Sequence, residues 1–181
     1  PPFVAAIRDA KVGTVMAAHN EINGIPCHGN KWMLNDLLRD ELGFEGFVVS
    51  DWMDIERLHS MHHWVPDSTE AFVVSVESGI DMHMQGDKYF EAVVAAVKSG
   101  RIPESRIDQA AGKILAVKFA LGLFEQPVPE IPEVLDGAAE HRQTALEADR
   151  QGLVLLKNDG TLPLKNPRRV FVVGPNADSQ T

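Results

Sequence analysis

One cysteine, Cys27, in 181 residues excludes an internal disulfide framework and leaves the redox compartment open. No cluster of Lys and Arg is present, and the formal charge of −9 argues against a nucleic-acid-binding surface. No apolar run reaches the length needed to span a bilayer, so no membrane partner is expected. The opening Pro1-Pro2-Phe3-Val4 has no Met, no basic segment and no signal-like apolar stretch, and it reads as the interior of a longer chain. What is there, 44% hydrophobic and 24% charged residues, is the composition of an ordinary globular domain with apolar mass for a core.

Up to about Leu121 short apolar runs alternate with amphipathic stretches. Val12 to Ala18 reads as a strand, followed by a polar turn through Asn20, Asn23, Gly24 and Pro26. Trp32, Leu34, Leu37, Leu38 and Leu42 recur at helical spacing, and Gly43 supplies a stop. A strand ending at Asp51 comes next, then a loop rich in His and Met as far as Pro66. Asp67 or Ser68 would cap a helix carrying Ala71, Phe72, Val74 and Val76, and Gly79 would end it. Ile80 to Met84 is a third short strand, Tyr89 to Lys98 a further helix, and Pro103 opens another through Leu121. Strand and helix in alternation imply βαβ units on a parallel sheet, an α/β fold. Three such units cannot close a barrel, so they are expected to belong to a larger domain or to associate with what completes it.

Between Gly122 and Pro132 the composition changes: Pro127, Pro129 and Pro132 alternate with Glu and Val, as in an extended linker. A polar helix from about Asp136 to Arg150 follows. Gly152 to Leu156 and Val170 to Val173 read as strands, with Asn158-Asp159-Gly160 as a turn between them. The organisation expected is therefore barrel-type units over residues 1–122, a Pro-rich linker over 123–135, and the start of a second α/β region over 136–181. Gly174-Pro175-Asn176 lacks the full glycine fingerprint of a phosphate loop and reads as a strand-end turn.

The segment Gly46-Phe47-Val48-Val49-Ser50-Asp51-Trp52 concentrates the chemistry. Val48 and Val49 are β-branched, and a run this short after a helical pattern suits a buried parallel strand. A carboxylate at its end is costly unless it meets water, a partner or a substrate. In α/β barrels the C-terminal strand ends carry the reacting groups, which makes Asp51 the first candidate.

Val15-Met16-Ala17-Ala18-His19-Asn20-Glu21-Ile22-Asn23-Gly24-Ile25-Pro26, then Leu38-Arg39, Gly43-Phe44-Glu45-Gly46-Phe47-Val48-Val49-Ser50-Asp51-Trp52 and Ser78-Gly79-Ile80-Asp81-Met82 resemble glycoside hydrolase family 3. So does the later Val154-Leu155-Leu156-Lys157-Asn158-Asp159-Gly160-Thr161-Leu162-Pro163-Leu164, and the matches run in family order. The resemblance implies the C-terminal units of a (β/α)8-like (TIM) barrel joined to the first strands of an α/β sandwich domain. It also implies retaining hydrolysis of a β-linked oligosaccharide or aryl or alkyl glycoside, of β-glucosidase or β-xylosidase type, with no cofactor. Asp51 falls on the family nucleophile. A second carboxylic acid, about 5–5.5 Å away in retaining enzymes, protonates the leaving oxygen. The family's general acid, a Glu, and its upstream Lys-His pair and Asp are expected outside this segment, which alone would turn over little. Relatives also suggest a periplasmic or secreted location.

Other residues of these motifs and of the loop that follows are candidates beside Asp51. Trp52 offers a flat apolar face to a sugar's C–H surface or anchors its loop by packing. Arg57 would bond sugar hydroxyls or sit solvated. His19 stands where the family often has a Tyr that contacts the nucleophile, and an imidazole there could orient Asp51. His59 and His63 have the i, i+4 spacing of zinc helices but no third-ligand motif follows, so no metal site is expected. Asp81 reads as structural, and none of Glu41, Glu45, Glu56 or Glu77 is expected to replace the missing acid. Two other readings stay open: a non-catalytic carbohydrate-binding or assembly module, and a metal-dependent hydrolase built on Asp51, Asp54 and the histidine loop.

Overall fold

Val48 and Ile80 have no exposed surface, and they mark the two apolar runs on which the first part of the chain is built. The computed structural model describes residues 1–128, 137–166, 169–175 and 177. The chain divides into two units, Pro1–Pro129 and Glu130–Thr181.

In the first unit α1 (Pro2–Arg8) leads into β1 (Thr14–Met16), and a hairpin of β2 (Glu21–Ile22) and β3 (Ile25–Pro26) follows. The hairpin turn is Asn23-Gly24, both at positive φ (54° and 77°), the pair that a tight antiparallel turn requires. A 3-10 turn (Cys27–Gly29) precedes a helix over Trp32–Glu41 that is wound with π-type bonds. Then come β4 (Phe47–Val49), α2 (Asp54–Ser60), α3 (Ser68–Ser78), α4 (Tyr89–Lys98) and α5 (Glu104–Ala120). Asp67 caps α3 by accepting from the Glu70 N–H at 2.8 Å, and Gly79, at φ 116°, ends it in the left-handed region.

β1 and β4 pair in parallel with Val15 opposite Val48, and Val49 forms a further parallel bridge to Met82. Three parallel segments therefore lie side by side, with β4 in the middle. The helices bury Leu34, Leu38, Ile55, Leu58, Ala71 and Phe72 against this sheet and one another, with Phe44 and Ile80 in the same cluster. A smaller cluster of Val73, Val76, Val93, Ala96 and Ile102 joins α3 to α4 and the segment after it. Gly46 permits the close approach that starts the β1–β4 pairing, because a Cβ there would lie 2.1 Å from the Gly13 carbonyl oxygen.

Several expected elements differ in detail. The third strand shrinks to the single bridge at Met82, since only Val49 offers it a ladder partner among the described residues. The stretch expected as a loop up to Pro66 contains α2, whose Ile55 and Leu58 are wholly buried. Of the residues that recur at helical spacing, Trp32 is half exposed, whereas Leu34 and Leu38 are buried.

In the second unit α6 (Ala139–Gly152) buries none of its residues. Of the stretches 152–156 and 170–173, expected as strands, Gly152 closes α6 and residues 153–156 and 170–173 form no strand. Their backbone groups have no partner segment among the described residues, and a strand exists only through such a partner. Asn158 does make the expected turn: its Oδ1 accepts from the Leu162 N–H at 3.1 Å and its Nδ2 donates to the Leu162 carbonyl at 2.8 Å. Residues 129–136, with most of the expected linker, and Asn176 lie outside the described residues.

Asp81 ties the sheet to the helices. Its side chain is wholly buried, and Oδ2 accepts from the Val48 N–H at 2.9 Å and from Arg39 Nη2 at 2.5 Å. Arg106 Nη1 lies 3.0 Å from Oδ1 and Lys113 Nζ 4.0 Å, while Arg106 Nη2 donates to the Ile80 carbonyl at 2.7 Å. Burial lowers the pKa of both Arg39 and Lys113, and Asp81 opposes that shift. Removing the carboxylate would strand buried cations, which costs about 3–5 kcal/mol. Asp81→Ala is accordingly expected to destabilise the full-length protein by about that much in urea unfolding; a change below about 1 kcal/mol would show the cluster to be dispensable.

Candidate active site

Parallel pairing sends β1, β4 and the Met82 segment out at one edge of the sheet, and the residues that follow them meet there. His19 comes three residues after β1 and Asp51 two after β4. His19 Nε2 lies 2.9 Å from Asp51 Oδ2. Asp51 keeps 26% of its side-chain surface exposed and His19 59%, so both are open to solvent and to a ligand. Asp51 Oδ1 accepts from the Trp52 N–H at 2.6 Å. The indole of Trp52 is 54% exposed beside it.

Met53, at φ 55°, turns the chain out of the strand end and into α2. A left-handed conformation at a residue with a long side chain costs on the order of 1 kcal/mol and is held here by its surroundings. It brings Asp54 under the pair. Asp54 is 3% exposed; its Oδ1 accepts from Arg57 Nη1 at 2.6 Å and its Oδ2 is in close contact with His19 Nδ1. Arg57 Nη1 also lies 3.4 Å from that nitrogen. Asp51, His19, Asp54 and Arg57 therefore form one continuous polar chain.

A further histidine completes the frame. His28, buried in the 3-10 turn, accepts through Nε2 from the Asp51 backbone N–H at 3.0 Å, while its Nδ1 lies 3.8 Å from Asp54 Oδ2. An imidazole nitrogen that accepts carries no proton, so this geometry uses neutral His28 with its proton on Nδ1. Burial pushes the pKa of His28 down to about 4, with Asp54 and Asp51 opposing the shift and His19 and His62 adding to it. The turn is itself pinned, because Gly29 packs under the Trp64 ring, leaving no room for a Cβ, and its carbonyl accepts from Ser78 Oγ at 3.0 Å.

The sequence candidates thus separate into two groups. Asp51, Trp52, His19 and Arg57 come together at one edge. The histidines of the following loop do not converge: His59 donates from Nδ1 to the Val65 carbonyl at 3.1 Å, His62 Nδ1 lies 2.7 Å from Glu21 Oε1, and His63 lies beyond the end of α2 at φ 50°. Glu77 pairs with Arg101 at 3.0 Å. The shielded carboxylate of Glu56 lies 3.7 Å from His83, which stacks on Tyr89 at 4.4 Å. Burial lowers the pKa of His83 and pushes Tyr89 up to about 12. His28 was missed from the sequence, and Asp54 was considered only as a metal ligand. The acidic first turn of α2 was the available sign for Asp54, whereas nothing local marks His28.

His19, Asp51 and Asp54 each offer a ligand atom, all within 4.8 Å of one another, a grouping that could hold a cation. Arg57 already occupies one Asp54 oxygen and brings a positive charge to the same place.

Residues 1–117 match the model of the glycosyl hydrolase family 3 N-terminal domain. The chain belongs to glycosyl hydrolase family 3. It is 40% identical over 193 residues to a β-xylosidase of Formosa agariphila, an alignment covering 99% of this chain and 27% of that protein. It is 40% identical over 188 residues to a periplasmic β-glucosidase of Salmonella typhimurium, covering 99% and 24% respectively. Among solved structures, the β-glucosidase of Listeria innocua in complex with glucose superposes with a TM-score of 0.76 at 34% identity, over 91% of this chain and 23% of that one. The chain thus spans about a quarter of the length of these relatives. As a family 3 N-terminal segment, its parallel βα units are part of a TIM-barrel-like fold.

Because His28 is held neutral, its protonation is favoured in the unfolded chain between the ordinary value of 6.5 and about 4. The contribution is whole above pH 6.5 and is lost as the pH falls toward about 4. His28→Gln keeps an acceptor for the Asp51 N–H and removes the titration. Urea midpoints of the full-length variant are expected to flatten over that window, and an unaltered acid limb would show that His28 does not cause it.

Proposed function

We propose that the protein containing this chain hydrolyses β-linked glycosides with retention, through a covalent ester on Asp51. The observation that carries the reading is the placement of Asp51: a partly exposed carboxylate at the C-terminal end of the middle strand, with an imidazole 2.9 Å away and an exposed indole next to it. Asp51 attacks the anomeric carbon, the bond to the leaving oxygen breaks, and that oxygen takes a proton from a carboxylic acid. Water then cleaves the ester, losing its proton to the same group. Trp52 would lie against the sugar's apolar face and Arg57 would bond its hydroxyls. His19 would hold the Asp51 carboxylate in its attacking orientation.

Asp54 does not suit the proton donor's part, since both its oxygens are engaged by Arg57 and His19 and it is buried. The general acid is expected from the larger protein, as are the rest of the barrel and of a second domain that begins after a linker near residues 123–135. The substrate is an oligosaccharide or an aryl or alkyl β-glycoside, in keeping with the names of the β-glucosidases and β-xylosidase to which the chain is similar. An exported, periplasmic location follows the Salmonella relative.

A second reading, metal-dependent hydrolysis at His19, Asp51 and Asp54, draws on their grouping. It requires loss of turnover in EDTA, whereas the glycosidase needs no metal. A sugar-binding module would bind glycosides and form no adduct. The deciding experiment treats the full-length enzyme with an activated 2-deoxy-2-fluoro β-glycoside, whose good leaving group needs little protonation. The label is expected on the peptide carrying Asp51, and Asp51→Asn is expected to cut turnover by more than about 1000-fold. Label on another carboxylate, or wild-type turnover in the variant, would end the proposal.

A further inference from the structure

Two exposed side chains in this site hold defined positions, and one buried carboxylate accounts for both. His19 and Arg57 are more than a third exposed, and side chains of that kind ordinarily exchange rotamers in water. Each instead meets Asp54: Arg57 Nη1 donates to Oδ1 at 2.6 Å and His19 Nδ1 contacts Oδ2. Asp54 cannot follow them into solvent. It is 3% exposed in the first turn of α2, between Met53 and the wholly buried Ile55, and its N–H reaches back to the Asp51 carbonyl at 3.4 Å. Asp54 and Arg57 are three apart on one helix and share a face, so that contact is built into α2. The His19 contact joins α2 to the end of β1, and with Nδ1 fixed the ring aims Nε2 at Asp51.

We propose that Asp54 is the positioning residue of this site, a buried carboxylate that fixes the His19 ring and the Arg57 guanidinium in the arrangement they present to Asp51. The inference rests on Asp51 being the nucleophile, and it assigns Asp54 no contact with substrate. Charge-assisted hydrogen bonds are about twice as strong as neutral ones, and here they are made by an acceptor without freedom of its own. The ordering of His19 is thereby settled on folding and not during each turnover. A displacement of about 1 Å at such a support costs on the order of 100-fold in rate.

The test measures inactivation of the full-length enzyme by the 2-fluoro glycoside, which yields a limiting rate, a half-saturating concentration and a labelled fraction. Asp54→Asn keeps the shape and removes the charge that holds both partners. The limiting rate is expected to fall on the order of 100-fold. The labelled fraction should stay near that of the parent and the label should remain on Asp51. A purely structural role would instead reduce the fraction that can be labelled and leave the rate of the remainder unchanged, and that result overturns the proposal. In a His19→Ala background the same substitution should cost less than about tenfold, because the ring it orients is gone; equal costs in both backgrounds also overturn it. If the Asn variant gives too little folded enzyme, Asp54→Glu retains the charge and moves it by one methylene, with the same fall expected and an unchanged rate decisive against. Label found elsewhere than Asp51 in the parent defeats the underlying reading instead, so the two failures are distinguishable.

Discussion

The parallel register of β1 and β4, with Val15 opposite Val48, is the constraint on which the site depends. Parallel strands deliver their following residues to the same edge of a sheet. His19 and Asp51, 32 residues apart by their numbers, therefore come within a hydrogen bond of each other through backbone geometry. A shift of one residue in that register would exchange the faces of β4 and turn Val48 out of the core. Gly46 against the Gly13 carbonyl and the Asp81 carboxylate on the Val48 N–H hold the strand at opposite places against such slippage.

Two buried carboxylates organise the unit in different ways. Asp81 is enclosed by Arg39, Arg106 and Lys113 and by a strand amide, so its charge is spent inside the fold. Asp54 is buried to the same degree but faces outward, toward an imidazole and a guanidinium that remain open to solvent. Burying a carboxylate is costly unless it is paired. In the first case the return is a sheet joined to its helices; in the second it is an ordered surface. His28 adds a third device, a neutral imidazole that accepts the Asp51 N–H where water would otherwise compete.

Much of this was legible in the chain. The alternation of apolar runs and amphipathic stretches marked the parallel βα units, and the run ending at Asp51 marked the site, because β-branched clusters and abrupt carboxylates have local physical meanings. The helix α2 was not recognised: His59, Met61, His62 and His63 made the stretch look irregular, although Ile55 and Leu58 lie at helical spacing and Asp54 and Glu56 suit a helix start. The histidine pair at i, i+4 suggested ligands, yet α2 stops at Ser60 and His63 turns away. Residues 153–156 and 170–173 have strand composition but lack strand partners among the described residues, since composition states a preference and pairing needs a neighbour.

The amino-acid order by itself determined the apolar runs that the first unit buries, where most of its helices could begin and end, and that a carboxylate would stand at the close of a strand. Those features follow from periodicity, capping and the cost of burying charge, all of which act within a few residues. Only the tertiary structure decided that His19, His28, Asp54 and Arg57 surround Asp51, and which of them are buried. Hydrogen bonds between residues brought together by strand pairing have no local trace, because the distances that matter are set by the fold and not by separation along the chain.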